Sequence, residues 1–291
     1  MRTIGRGARV GARSGFSLPG LIGLLACAIL VTPPGPAAAA EDEREAASAD
    51  PELETLTLPR GLSLYKPNYA LPLTWSDDAD ESADAEFKFQ LSFQYQVAQT
   101  PVYVAYTQTA YLRWLDDENS RPFRETNYNP EVWYRFRPGR LRPDWLGLDI
   151  GYEHESNGED LPESRSWDRT YLRAWFDQQA WKGSLKLWSR VPEGDPSTQD
   201  DPDGDDNPDI VDYYGHHQLQ LEYTFEDGER LSATSRYSFS DHHGALRLDY
   251  AWPTGAGSGY WYLQLFSGYG ESLETFRENR TRIGIGFALL N

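Results

Sequence analysis

Three polar residues that lie close together in the sequence, His154, Ser156 and Asp168, are of types that could carry out serine hydrolysis. A hydroxyl nucleophile needs a base to take its proton, and an acid usually orients that base. Residues two apart on a β-strand have Cα atoms about 6.5–7 Å apart on one face, so an imidazole can reach a hydroxyl. A histidine and a serine at a strand end are often ordinary interfacial polarity, so spacing alone leaves both interpretations open.

The segments that hold these residues, 145–156 and 166–177, alternate between apolar and polar side chains. His154 and Ser156 share the parity of the apolar positions in the first segment, and Asp168 does so in the second. If the segments pair as a hairpin, the three side chains converge on the apolar face. Ionisable groups at a lipid edge are costly and tend to be functional. A catalytic group in that place is useful only if lipid is the substrate.

Alternation of this kind recurs along most of the chain. Besides a short strand near 68–75, candidate strands span about 87–97, 102–115, 125–136, 145–156, 166–177, 182–191, 213–226, 229–240, 243–253, 259–268 and 280–290. No segment has a convincing helical period, and Asp227-Gly228 signals a tight hairpin turn. About twelve strands of about ten residues predict an all-β fold, a twelve-stranded antiparallel transmembrane β-barrel. A secreted β-sandwich is the alternative.

The N-terminal region differs from the rest in composition. Residues 1–40 combine four arginines, an apolar run and an alanine-rich end, which predicts a signal peptide. Residues 41–66 begin as an acidic run without a period and predict a mobile N-terminal arm. The barrel is then expected to span residues 67–291. Cys27, the only cysteine, falls in the signal peptide, so the mature chain would have no disulfide bond.

Charge and aromatic content narrow the class of protein further. Four of the 27 basic residues lie in positions 1–40, which leaves 23 basic against 45 acidic residues and a net charge of about −22. A nucleic-acid partner is therefore excluded, because the phosphate backbone requires a basic surface. Aromatic residues make up 14% of a chain that is hydrophilic on average. Aromatic girdles around strands with one apolar face explain this combination, which places the protein in the bacterial outer membrane.

Two further groups of polar residues have open interpretations. Gln108 occupies a position of apolar parity in its strand, and an unsatisfied primary amide in hydrocarbon costs several kcal/mol. Either an amide of another chain satisfies it, or a bulge turns it inward; spacing does not separate these. In the acidic loop 192–209, Asp201, Asp203 and Asp205 have the spacing of calcium loops. No glutamate follows at the required position, which favours a solvated loop.

Longer motifs accompany these residues at regular intervals. They are Tyr106-Thr107-Gln108, Pro122-Phe123-Arg124-Glu125-Thr126-Asn127-Tyr128, Gly151-Tyr152-Glu153-His154-Glu155-Ser156-Asn157-Gly158, Ser164-Arg165-Ser166-Trp167, Asp205-Asp206-Asn207-Pro208-Asp209-Ile210 and Ser267-Gly268-Tyr269-Gly270-Glu271-Ser272-Leu273. In this order and spacing they resemble the outer membrane phospholipase A family, over most of the chain from about residue 87 onward. The resemblance implies a twelve-stranded barrel that hydrolyses acyl esters of phospholipids and lysophospholipids when calcium drives its dimerisation.

The resemblance also implies a role for each catalytic position. Ser156 is the nucleophile, His154 is the base, and the backbone N–H of Gly158 contributes to the oxyanion hole. The family has an asparagine where this chain has Asp168. Either group can orient an imidazole, and a carboxylate also stabilises imidazolium, so activity is expected to survive the difference.

The calcium ligands implied by the resemblance are oxygen atoms, as this cation prefers. At the dimer interface they match Ser120, Ser164 and the backbone carbonyl of Glu159. A second calcium site of the family uses two aspartates. One of these matches Asp206, but Leu161 occupies the other position, which puts that site in doubt.

Gln108 matches a glutamine buried between subunits in the same family, which favours the interface interpretation. The predicted function is therefore a calcium-dependent phospholipase of the outer membrane that is active as a homodimer on phospholipid. A catalytically inactive or porin-like outer-membrane barrel is the main alternative, and it would not need His154 and Ser156 on its lipid face. A soluble secreted β-sandwich that binds a ligand is the third hypothesis.

Overall fold

The computed structural model describes residues 60–76, 86–113, 123–136, 145–194, 204–255 and 257–290. These residues belong to one unit, Leu53–Asn291. Their elements are β1 (Leu62–Leu64), β2 (Asn68–Ser76), β3 (Glu86–Gln96), a short 3-10 helix (Val97–Gln99), β4 (Val102–Leu112), β5 (Phe123–Phe136), β6 (Leu146–Ser156), β7 (Ser166–Gln178), β8 (Trp181–Val191), α1 (Ile210–Tyr214), β9 (His217–Thr224), β10 (Arg230–Tyr237), β11 (Gly244–Pro253), β12 (Gly259–Tyr269) and β13 (Asn279–Leu289). The predicted signal peptide lies outside the described residues.

Strands β2 to β13 form a closed antiparallel barrel. Each strand pairs with its neighbours in the chain, and β13 pairs with β2 to close the sheet. The short β1 pairs with the far half of β3, where Leu62 lies opposite Tyr95, whereas β2 pairs with the near half. The predicted twelve-stranded antiparallel barrel is confirmed, with β1 as an addition that the sequence pattern did not reveal.

Side chains alternate between the outer wall and the lumen along each strand. Ile150 and Leu172 face outward and are 51% and 40% exposed. Asp149, next to Ile150 in sequence, faces inward and is fully buried, where it accepts hydrogen bonds from Arg135 and Arg173. Such an apolar outer wall is suited to lipid. The predicted parity of β6 and β7 is therefore found in the structure.

The lumen is crossed by buried ion pairs. Near the end of the barrel at which β6 finishes, Glu86 binds Arg124 at 2.7 Å and also pairs with Arg282. Arg282 and Lys88 each lie 2.9 Å from a carboxylate oxygen of Glu271. Burial raises the pKa of Glu271, but the two cations outweigh it and lower that pKa to about 2. The loop that holds Glu271 is therefore tied to the barrel interior by charge.

The segment between β1 and β2 also fills the lumen. Tyr65 stacks on Trp133 with 5.2 Å between ring centroids, and its hydroxyl accepts a hydrogen bond from Arg173 at 2.6 Å. Lys66 Nζ lies 2.9 Å from Glu131 Oε1. Residues 60–66, which the sequence analysis assigned to the mobile arm, are thus part of the barrel. Three alternating residues in β1 are too few to produce a periodic signal, which explains the misplaced boundary.

The connections that the structure describes in full differ in length. Short turns at 179–180 and 225–229 lie at one end of the barrel, and at 225–229 Gly228 has φ 83° and its N–H donates to the Phe225 carbonyl. Longer connections, 157–165 and 270–278, lie at the other end, together with the described parts of the connection between β8 and β9. In outer-membrane barrels the longer loops are extracellular.

The connection after β8 contains α1, which the sequence pattern did not predict. Its Ile210 and Tyr214 are buried, and the Tyr214 ring meets Trp167 edge-on with 5.2 Å between centroids. A helix of five residues is too short to show a helical period, so the predicted strand 213–226 begins only at His217. None of the helices in the described ranges is long and apolar enough to cross a membrane.

Candidate active site

The β6–β7 hairpin gathers the predicted catalytic residues at one end of the outer wall. His154 lies directly opposite Asp168, and Ser156 lies opposite Ser166 at the last rung of the hairpin. All four have the parity of Tyr152, whose side chain is exposed on the lipid face. The site is therefore at the edge of the apolar wall, at the end with the longer connections.

His154 and Asp168 are joined by a hydrogen bond between Nδ1 and Oδ1 of 2.8 Å. An ionised carboxylate only accepts, so Nδ1 carries the proton, and in the neutral ring Nε2 is left free to accept one. The side chains of His154 and Asp168 are 36% and 21% exposed. The imidazole is thus oriented by a carboxylate and remains accessible from the lipid side.

The described residues contain no hydrogen bond between Ser156 Oγ and His154. A serine hydroxyl can rotate about its Cα–Cβ bond, and catalytic hydrogen bonds commonly tighten only when substrate binds. Ser156 lies two residues from His154 on the same face of β6 and is half-buried. The two side chains are therefore neighbours on the outer wall.

The inner face of the same hairpin forms a rigid support behind the site. Trp167 is fully buried, and its indole N–H donates to Glu155 at 3.1 Å. Arg169 lies over the Trp167 ring at 3.8 Å and pairs with Glu155 at 2.8 Å and Glu153 at 3.0 Å. Residues alternating with the catalytic positions therefore lock both strands from the inside.

The loop after Ser156 is organised by Asn157, which the sequence analysis did not single out. Its side-chain oxygen accepts the N–H groups of Glu159 and Arg165, and its amide nitrogen donates to the Glu163 carbonyl. Gly158 follows with φ 69°, and a Cβ there would lie 3.0 Å from the Tyr128 ring. This turn fixes the backbone that directly follows Ser156. The Asn-Gly pair directly after a strand is the sequence signal that could have identified this turn.

Asn207 ties the long connection to the start of β7 and was also missed. It is fully buried, and its side-chain oxygen accepts the backbone N–H of Ser166 at 3.1 Å. The Asn207 N–H in turn donates to Asp205, whose carboxylate pairs with Arg190 at 2.5 Å. Asp205 therefore has a structural ion pair; Asp201 and Asp203 of the same predicted loop lie outside the described residues.

A second anchor of this connection is the pair of Asp209 and Arg277. The guanidinium donates two hydrogen bonds to the carboxylate, at 2.6 and 2.8 Å. These hydrogen bonds, with the positive charge of Arg277, outweigh partial burial and lower the pKa of Asp209. The start of α1 is thus joined to the connection between β12 and β13.

The predicted calcium ligands are partly brought together. Ser164 Oγ donates to Asp206 Oδ2 at 2.5 Å, and Glu159 lies exposed in the same loop as Ser164. Ser120 falls outside the described residues, and Leu161 supplies no side-chain oxygen. Within the described ranges no cluster of three acidic, histidine or cysteine side chains could hold a metal ion. The donors that are present, a hydroxyl, a carbonyl and one carboxylate, have calcium chemistry but are too few alone.

Gln108 lies on the outer face of β4. Its pairing with β3 has no register shift, and its pairing with β5 shifts only between Tyr111 and Leu112, so no bulge at Gln108 turns it into the lumen. The Tyr106 hydroxyl donates to its side-chain oxygen at 3.2 Å. The Gln108 side chain therefore faces outward, and a bulge does not turn it into the lumen.

The profile of the phospholipase A1 family matches residues 47–289 of this chain. Among curated proteins, Phospholipase A1 of Escherichia coli strain K12 is 35% identical over 221 residues, which cover 73% of this chain and 72% of that protein.

Solved structures with the same fold are also related in sequence. The Salmonella typhi outer membrane phospholipase dimer with bound calcium superposes with a TM-score of 0.69 at 32% identity, over 80% of this chain and 94% of that one. An active-site mutant of the Escherichia coli outer membrane phospholipase A, with an asparagine changed to alanine, has a TM-score of 0.69 at 32% identity and covers 82% and 95%.

Proposed function

The chain belongs to the phospholipase A1 family and is an enzyme of the bacterial outer membrane; from this premise we propose that it hydrolyses acyl esters of glycerophospholipids and lysophospholipids by a serine mechanism. The observation that supports the mechanism is the His154–Asp168 pair on the outer wall, next to the hydroxyl of Ser156. A base and an orienting acid are of no use on a lipid-facing surface unless an ester arrives from the membrane.

In the proposed reaction, His154 first takes a proton from Ser156 and later gives it to the leaving group. Ser156 Oγ attacks the acyl carbonyl carbon while its proton passes to His154 Nε2, and Asp168 stabilises the imidazolium through Nδ1–H. The backbone N–H of Gly158 donates to the oxygen that becomes negative. His154 then gives its proton to the leaving glycerol oxygen, and the acyl group remains on Ser156. Water, activated by His154, hydrolyses that ester and releases the fatty acid.

We further propose that calcium binds at the loop after β6. Ser164, Asp206 and the Glu159 carbonyl would supply oxygen ligands on this chain, and Ser120 is proposed as a ligand from a second copy. When bound, the cation would supply positive charge that favours the developing oxyanion. The shortage of ligands on one chain supports a site completed by another.

The active form is proposed to be a homodimer, with Gln108 at the interface. The amide is held on the outer wall by Tyr106, and only its oxygen has a hydrogen-bond partner in the described residues. A second copy of the same amide could satisfy the remaining donor, which hydrocarbon cannot. Phospholipids are scarce in an outer leaflet rich in lipopolysaccharide, so a resting monomer would meet substrate when membrane asymmetry fails.

The test is fatty-acid release from mixed phospholipid–detergent micelles, with calcium and with a chelator. Wild type is compared with Ser156→Ala and with Ser189→Ala, which removes another outward serine from the same wall. Calcium-dependent release that survives in Ser189→Ala and is lost in Ser156→Ala supports the proposal. Full activity of Ser156→Ala would refute the nucleophile, and no release from a correctly folded wild type would favour the inactive or porin-like barrel.

A further inference from the structure

The outer face of β8 extends toward the candidate active site beyond the last paired residue of that strand. Val191 lies opposite Asp168 in the register of β7 and β8. Glu193, two residues later, has the same outward parity and comes level with Ser166. Because Ser166 lies opposite Ser156, the outer wall has two adjacent rungs, one with the base and its acid and one with the nucleophile and Glu193.

A hydrogen bond confirms that the Glu193 carboxylate reaches this second rung. Ser166 Oγ donates to Glu193 Oε2 at 3.4 Å. A serine hydroxyl has one proton, so in this arrangement Ser166 does not donate to Ser156, its neighbour across the strand pair. The carboxylate of Glu193 thus lies two strands from Ser156, with β7 between them, and close to Asp168.

The charges that face Glu193 come from three elements. Asp168 on β7 and Asp205 on the long connection are negative, and Arg190 on β8 is positive. Arg190 also binds Asp205 and the Pro208 carbonyl, so it is shared between acids. Burial raises the pKa of Glu193, and Asp168 raises it further.

The surroundings of His154 are otherwise neutral or acidic. Asp168 faces it from β7, and the phenol of Tyr152 lies on its own strand. On the other side, β5 presents Pro130 and Tyr128, which carry no charge at neutral pH. Among these described residues, Asp168 and Glu193 therefore supply the negative charges on the outer wall that can stabilise imidazolium.

We propose that Glu193 is a positioning residue of this site, whose charge acts through Asp168 to favour the protonated form of His154. This inference rests on the proposed function, because it assigns His154 as the base. A second carboxylate at the lipid edge interacts strongly with the first, since field lines there pass through a medium of low dielectric constant. Glu193 stabilises the imidazolium that forms when Ser156 attacks, and it raises the pH at which the free enzyme loses its base.

The test compares wild type, Glu193→Gln and Asp160→Asn, in which an exposed acid is removed from the neighbouring loop. The pH dependence of kcat/KM for fatty-acid release is measured together with the titration of His154 by NMR in detergent. The chain has five histidines, and the His154 signal is identified by its absence in His154→Ala. We expect Glu193→Gln to move both midpoints to lower pH by about half a unit and Asp160→Asn to move neither.

The two readouts separate this inference from the proposed function. Unchanged midpoints in Glu193→Gln, or an equal shift in Asp160→Asn, would overturn the role of Glu193. If the His154 titration moves in Glu193→Gln but the wild type releases no fatty acid, the electrostatic role is supported and the phospholipase mechanism is contradicted.

Discussion

The two faces of the β6–β7 hairpin have the same backbone and very different side-chain environments. On the inner face, Glu153, Glu155 and Arg169 are bound to one another and to Trp167 at short distances. On the outer face, one hydrogen bond joins His154 to Asp168, Tyr152 also bonds to Asp168, and no side-chain hydrogen bond of Ser156 is found within the described residues. A densely bonded lumen can hold two strands rigid, so the outer side chains need not bond to one another to stay in place. The wall therefore leaves the reactive groups free for a substrate.

The largest expected effect is on the outer face. His154→Ala should lower kcat for fatty-acid release by about 10⁶-fold, because the nucleophile loses its base. The free energy of unfolding should change little, since the side chain faces outward and has one partner. Both quantities are measured on the same detergent preparation. A large loss of stability would mean that the two faces are not separable.

A substitution on the inner face should lower the free energy of unfolding rather than act directly on the reaction. Glu153→Ala leaves Arg169 and Lys186 buried without one of their acids, and breaking such a pair costs about 3–5 kcal/mol of unfolding free energy. Urea unfolding in lipid vesicles measures this, with Glu163→Gln in the exposed loop as the control. A cost near that of the control would show that the lumen does not brace the hairpin.

A smaller effect is expected when the acid of the site is changed to the residue found in the family. Asp168→Asn keeps an oxygen that can accept Nδ1–H but removes the charge that stabilises imidazolium. A charged hydrogen bond exceeds a neutral one by about 1 kcal/mol, so kcat/KM should fall by roughly tenfold or less. The pH–rate profile should also move to lower pH. A loss of several thousandfold would instead indicate that the amide selects the wrong tautomer.

The smallest effect concerns a pair distant from both faces. Asp209 has a lowered pKa in the folded protein, so its pair with Arg277 stabilises the fold above the unfolded pKa and is lost as pH falls through the folded value. Both side chains are more than a third exposed, which limits the contribution to about 0.5 kcal/mol. Arg277→Gln should lower stability slightly at pH 7, and this difference should shrink as pH falls through the folded pKa of Asp209. A loss that stays equal down to the acid end of the titration would exclude the ion pair as its cause.

The barrel was predictable because a period of two is a strong signal when it lasts for ten residues. β3 and β6 were placed to within a residue or so of their observed bounds, and the parity of His154 and Asp168 followed directly. β1 and α1 were missed since three and five residues are too short for any period.

The candidate site was predictable only where its members lie on regular strands. His154 and Asp168 were placed by parity, and Gln108 by parity together with the absence of a bulge. Asn157, Asn207 and Glu193 act from loops, where no period relates sequence position to direction. Their partners depend on how the connections fold, which local pattern does not encode.

The number of residues between two bonded side chains differs by more than tenfold across the barrel, and this separation affects the order in which contacts form during folding. His154 and Asp168 are 14 residues apart, whereas the bond from Arg282 to Thr74 at the closing seam spans 208 residues. Contacts between nearby residues form earlier in folding than contacts between distant ones, because the loop they close is shorter. The hairpin can thus bring base and acid together in a chain whose sheet is still open. The proposed control by a second subunit would then have a further use, since it would keep a half-assembled chain from attacking the membrane that it is entering.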